Sequence, residues 1–185
     1  MSPDTIKGDN RSYVVFAASL SGVVCGCAFV WLTPLLPQLK SENSEVPMTE
    51  AELSWVVSII EIGDIFTPVP SALLADRLGR KPVLLAFGPI QLAAWLIILL
   101  SRTVAGLCVA RFIQGMAMGI MYSVLPIYLA EIASPAVRGS VGIIVQTSVY
   151  FGQIYEYSIG PFLTYSQIIW ASIPLTVVSI VKAPN

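Results

Sequence analysis

Apolar runs separated by short polar links repeat along this chain, and six of them can be placed, over about residues 13–36, 53–75, 83–100, 104–129, 139–159 and 166–181. Each is near the roughly 20 residues that an α-helix needs to cross about 30 Å of hydrocarbon. The pattern therefore predicts an all-α membrane protein with six transmembrane helices. A polar tail covers residues 1–12, the six-helix unit covers 13–181, and a truncated end covers 182–185. The first run is roughly twice the length of a signal-peptide core and lacks a convincing cleavage site, so it is expected to stay in the protein. Between the first two runs, residues 40–52 carry four glutamates and one lysine.

Composition agrees with the pattern. Hydrophobic residues make up 56% and charged residues 11%, against about 25% charged in ordinary globular proteins. The mean hydropathy is +0.79. Histidine is absent, which removes the usual metal ligand and general base. No nucleophile–base pair, phosphate-cradling loop or nucleic-acid-binding patch stands out, so no enzyme, cofactor, metal site or nucleic-acid partner is expected. The cysteines Cys25, Cys27 and Cys108 all fall in apolar runs. Cys25 and Cys27 point about 200° apart on a helix and are expected to be small buried fillers.

Positive charge sets the orientation. Lys7, Arg11, Arg77, Arg80, Lys81, Arg138 and Lys182 fall on one side of the six runs, and only Lys40 and Arg102 on the other. The positive-inside bias places both termini in the cytoplasm. Arg111 lies inside the fourth run.

Two charge-bearing stretches carry a resemblance. Ala75-Asp76-Arg77-Leu78-Gly79-Arg80-Lys81-Pro82 joins the second and third runs. In the fourth run, Arg111, Gly115 and Gly119 precede Pro126-Ile127-Tyr128-Leu129-Ala130-Glu131, and Ser134-Pro135-Ala136-Val137-Arg138-Gly139 follows. Gly115 and Gly119 share a helix face and allow close packing. Together these stretches resemble the sugar-porter branch of the major facilitator superfamily, with its D-R-x-G-R-[RK] turn and its R-x-x-x-G-x-x-x-G and P-x-Y-x-[AS]-E patterns. In style the chain is similar to insect facilitated trehalose transporter-like proteins. Ser71 stands where that family often has glycine.

The resemblance implies the N-terminal half of a major facilitator fold, working in the plasma membrane by alternating access. It implies a cytoplasmic gate formed by Asp76, Arg77, Gly79, Arg80 and Lys81, with Glu131 and Arg138 joining the same charge network. Gln146 matches the family's Q-x-x-x-x-x-G and becomes the first candidate for touching sugar, since an amide offers both donors and an acceptor. Spacing alone favours an interhelical hydrogen bond for Gln146, and only the family match turns the reading to sugar binding. Tyr150 and Gln153, assigned to other faces of the same helix, are secondary candidates. Glu61 and Asp64 lie three apart within the second run, as a proton-linked pair or as partners for a cation such as Arg111. Glu156 adds a third acid inside a run. The first run has no acidic residue, whereas proton-coupled members carry an aspartate there, which favours facilitated diffusion. Trp31, Trp55, Trp95 and Trp170 are expected as interfacial anchors or packing residues.

The function implied is facilitative uniport of a hexose or trehalose. The chain stops where the family continues, so self-association or pairing with a missing C-terminal half is expected. The competing expectation is a non-transporting membrane fragment that pairs or competes with full-length transporters.

Overall fold

A computed structural model describes the backbone of residues 3–40, 46–133 and 138–182, with side chains from residue 12 onward. Residues 41–45 of the polar stretch, Ser134 to Val137 of the second motif and the last three residues of the expected truncated end lie outside the described residues, as do the side chains of Lys7 and Arg11.

Every described regular element is helical. The first run forms α1 (Pro3–Val30), a 3-10 turn (Thr33–Leu35) and the short α2 (Leu36–Leu39). The second forms α3 (Glu50–Phe66) and α4 (Pro68–Leu78), and the third α5 (Arg80–Leu85) and α6 (Phe87–Leu100). Then follow α7 (Val104–Ile132), α8 (Arg138–Ile159), a second 3-10 turn (Gly160–Phe162) and α9 (Tyr165–Val181). Local chemistry sets these ends. A capping box opens α3, the Thr49 hydroxyl accepting from the Glu52 N–H and the Glu52 carboxylate from the Thr49 N–H at 2.8 Å. The α3–α4 break falls at Thr67 because Pro68 has no N–H for the Asp64 carbonyl. The Thr67 hydroxyl turns back to donate to the Gly63 carbonyl at 2.7 Å.

Four stretches are long and apolar enough to cross a membrane: Ser12–Leu39, Glu50–Leu78, Arg80–Leu100 and Val104–Ile132. The other two expected spans differ in kind. α8 has 22 residues but carries Arg138, Gln146, Gln153 and Glu156, and α9 is apolar but only 17 residues long.

The central element is α7, against which α3, α4, α5 and α6 pack, while α1 packs along α8 and α9. Two parallel crossings are closed by glycine. Gly63 meets the backbone of Phe112 and Met116 on α7, and Gly115 meets that of Ile60 and Asp64 on α3. In the same register, Gly26 meets Val149 and Gln153 on α8, and Gly152 meets Val23 and Cys27 on α1. One residue offset carries Gly26 onto Gly115 and Gly63 onto Gly152. The contact of α6 with α7 likewise has its counterpart in that of α9 with α1. Among the described residues, α1 and α3 thus repeat as α7 and α8, a symmetry that raw sequence does not show.

Trp31 and Trp95 are fully buried with ring centroids 5.6 Å apart, and Tyr165 packs edge-on to Trp31. Trp55 and Trp170 remain exposed. Cys25 and Cys27 are buried free thiols and Cys108 is partly buried.

Candidate functional site

The charged turn between α4 and α5 is made by Gly79, whose backbone sits at φ 94° and ψ 157°. Only glycine adopts that region without strain. The turn brings Arg80 back over the end of α4, where its Nη1 lies 3.3 Å from Asp76 Oδ1, and its Nε lies 3.1 Å from Glu131 Oε1 at the end of α7. Asp76, Arg80 and Glu131 therefore form one cluster tying three helix ends together. Arg77 and Lys81 are in no described ion pair, and Lys81 instead lines a small cavity beside Tyr128. Arg138, expected in the same network, turns its Nε onto the Ala133 carbonyl at 3.2 Å. It satisfies one of the acceptors that a helix end leaves free. Beneath the turn, Ser71 is buried and its hydroxyl meets that of Ser123 at 2.9 Å, so α4 and α7 stay in contact without a glycine there.

All three ion-paired groups of the cluster reach solvent, with the Glu131 side chain 51% exposed, so each bond is screened. Glu131→Gln is expected to lower stability by at most about 1 kcal/mol in thermal unfolding of the detergent-solubilised chain. A larger loss would show a cluster that holds the fold itself.

Arg111 lies deep inside, 2% exposed. The sequence offered it as a partner for Glu61 or Asp64, but none of the described ion pairs joins them. Its guanidinium donates to the carbonyls of Ala28 at 2.8 Å, Phe29 at 3.5 Å and Val56 at 3.4 Å, and to Gln114 Oε1 at 3.4 Å. Ala28 and Phe29 stand in the last turn of α1, where carbonyls run out of helical N–H partners and where a cation also suits the helix dipole. The Trp31 indole donates to Gln114 Oε1 at 3.2 Å, and its ring lies 5.9 Å from the Arg111 guanidinium carbon. Arg111 thus caps α1 from α7.

Glu61 and Asp64 face elsewhere. With Phe29, Met118, Tyr122 and Gln153 they line a half-open cavity of about 190 Å³. A second cavity of about 240 Å³ shares Tyr122 and is lined by Pro126, Arg138, Gln146 and Val149. The two form one groove along α7 and α8. Because α8 is continuous, Gln146, Tyr150 and Gln153 stand at i, i+4 and i+7 and share one stripe. This corrects their assignment to separate faces: at 100° per residue those steps return to within about 40° of the start. The repeat offset that relates the glycines also carries Glu61 onto Tyr150 and Asp64 onto Gln153. Of those four, Glu61, Asp64 and Gln153 line the first cavity, while Tyr150 lines neither.

Glu156 points away, fully buried between α8 and α9, where the Ser172 hydroxyl donates to its Oε1 at 2.6 Å. Sequence reasoning missed Tyr122, Phe29 and the Gln114–Trp31 pair. Tyr122 was findable, since it lies three residues beyond Gly119 on the close-packed stripe of α7. Phe29 carried no signal.

The family description "Sugar (and other) transporter" matches residues 13–182. Facilitated glucose transporter member 6 of solute carrier family 2 from Mus musculus is 30% identical over 161 residues, covering 86% of this chain and 32% of that protein. A facilitated trehalose transporter from Culex quinquefasciatus is 27% identical over 162 residues, covering 87% of this chain and 31% of that protein. The chain spans about a third of the length of the curated relatives it matches. Among solved structures, the proton:xylose symporter XylE of the major facilitator superfamily superposes with a TM-score of 0.82 at 16% identity, over 95% of this chain and 44% of that one. The human organic anion transporter TETRAN gives 0.72 at 20% identity, over 99% of this chain and 47% of that one.

Proposed function

Because the chain belongs to the Sugar (and other) transporter family, we propose that it forms the six-helix N-terminal half of a facilitative sugar porter in the plasma membrane, with both ends cytoplasmic. The groove along α7 and α8 carries this reading. It is concave, walled by Phe29 and Met118, and supplied with an amide at each end (Gln146 and Gln153) and a phenol between (Tyr122). Such groups exchange hydrogen bonds with vicinal hydroxyls. Hexoses and trehalose are the proposed solutes, moved without proton coupling.

The groove has one wall. In alternating access, one six-helix unit rocks against another around the solute. A second such unit, from another copy of the chain or from a partner, supplies the opposing wall. The cluster of Asp76, Arg80 and Glu131 then forms one side of the cytoplasmic closure.

Two measurements test this. Gln153→Ala, and separately Gln146→Ala, should weaken binding of labelled glucose or trehalose to the chain in nanodiscs by roughly two- to tenfold, the range of one lost hydrogen bond. Unchanged binding removes that residue from the site. Counterflow of the same sugars into liposomes holding only this chain should exceed that of empty liposomes, with crosslinking recovering dimers. Counterflow no higher than in empty liposomes would make the chain a non-transporting membrane protein.

A further inference from the structure

Away from the groove, we propose that Glu156 is a proton-binding site, held as the neutral carboxylic acid at a pH where glutamate is ordinarily ionised, and that losing this proton destabilises the packing of α8 against α1 and α9. Its position follows from the glycine crossing. Gly152 brings α8 onto the backbone of Val23 and Cys27 of α1, and Glu156 stands one turn further along the same face of α8. The side chain is 0% exposed, and Cys27 and Ser172 beside it are 1% exposed. Water therefore does not reach the carboxyl.

The surroundings do not support a charge. An ionised carboxylate offers about four acceptor positions. Ser172 of α9 donates to Oε1 at 2.6 Å, but the same hydroxyl also reaches the Ile168 carbonyl at 3.1 Å, and its single proton cannot serve both in full. Oε2 has no hydrogen-bond partner among the described residues. Cys27 faces the carboxyl from α1, yet a thiol is a weak donor and this one is turned to the Gly152 carbonyl at 3.5 Å.

Nor does a cation compensate. None of the described ion pairs includes Glu156. The titratable groups facing it are Cys27 and its neighbour Tyr155 on α8, both uncharged in the neutral range. On α9, Tyr165 gives its hydroxyl to the Ile98 carbonyl. On α7, Arg111 goes to the end of α1 and Glu131 to Arg80. A buried carboxyl without a partner for its charge sheds the charge by keeping its proton. The repeat agrees. The offset that relates the glycines puts Thr67 of α3 at the position of Glu156, and Thr67 is a neutral group whose hydroxyl turns back to the Gly63 carbonyl. A protonated Glu156 leaves both crossings uncharged. Because Glu156 lines neither cavity of the groove, its proton is held in place and does not travel with the solute.

The test is infrared spectroscopy of the full chain in nanodiscs at about pH 6, well above the ordinary glutamate value of about 4.3. Glutamate carboxyls are labelled with carbon-13, so that aspartate does not contribute. A protonated-glutamate band is expected, lost in Glu156→Gln and displaced in Ser172→Ala, which removes its hydrogen-bond donor. Absence of that band in the unmodified chain overturns the proposal, as does a band that survives Glu156→Gln. Should the glutamine variant fail to fold, a band left unmoved by Ser172→Ala overturns it equally. Denaturant unfolding reads the consequence. Above the ordinary glutamate range the unfolded chain has released this proton and the folded chain keeps it, so stability falls as pH rises. From about pH 5 to the pH at which the band disappears, the unfolding equilibrium of the unmodified chain should rise about tenfold per pH unit relative to Glu156→Gln. A constant difference between the two chains across that range overturns the link between the proton and the packing.

Discussion

Arg111→Ala is expected to be the most damaging single substitution in this chain, with a loss of about 3 kcal/mol or more in denaturant unfolding of the detergent-solubilised protein. The reason is what the guanidinium leaves behind. Its Nη1 donates to the Ala28 carbonyl at 2.8 Å, and the same group reaches Phe29, Val56 and Gln114. Ala28, Val56 and Gln114 are fully buried, beside Trp31 and Leu32 at no more than 1% exposure, so water is not at hand to replace those donors. Each hydrogen bond to a charged group contributes about 1.5–3 kcal/mol, and truncation also removes the stem's packing. Arg111→Lys should recover only a part. A compact ammonium cannot span the end of α1, the Val56 carbonyl and Gln114 as a planar fork does. Full stability in Arg111→Lys would show that charge alone matters at this position, and wild-type stability in Arg111→Ala would remove the capping role.

Gly115→Val should come close behind, and it should act on assembly of the bundle. A Cβ at Gly115 meets the Ile60 carbonyl and the Asp64 amide nitrogen, and one at Gly63 meets the Phe112 carbonyl. These contacts are backbone, so no rotamer change relieves them, and α3 must move off α7. Overpacking of this kind costs about 1–3 kcal/mol, and a branched side chain falls at the upper end. Moving α3 also displaces Glu61 and Asp64 from the groove, so glucose binding should fall with stability. Gly142→Ala is the matched control, since nothing lies within 4 Å of a Cβ at that position. Its unfolding midpoint should stay close to that of the unmodified chain. Equal effects at Gly115 and Gly142 would exclude close packing as the role of Gly115.

The sequence by itself determined the class of molecule and its family: runs of apolar residues dictate membrane helices, and Asp76 to Lys81 with Arg111 to Glu131 carry the resemblance that the family match bears out. Those signals are local, because hydrophobic length and a turn's charges need no knowledge of what packs against them. Gly79 belongs to the same class, its positive φ following from a tight turn between two helices.

What only the tertiary structure decided concerns partners. Arg111, Arg138 and Glu156 look alike in sequence as charges at or within apolar runs, yet each is satisfied differently. Arg111 goes to the end of α1, Arg138 to the end of α7 and Glu156 to Ser172 on α9. A charge takes whichever acceptor or donor the fold brings within about 3 Å, and for the two arginines that acceptor is a backbone carbonyl, which has no letter in the sequence. The pairing of α1 with α8 and of α3 with α7 was hidden for the same reason. Glycine contacts run to the partner's main chain, so the repeat is conserved in register while its side chains diverge to Glu61 and Asp64 on one side and Tyr150 and Gln153 on the other.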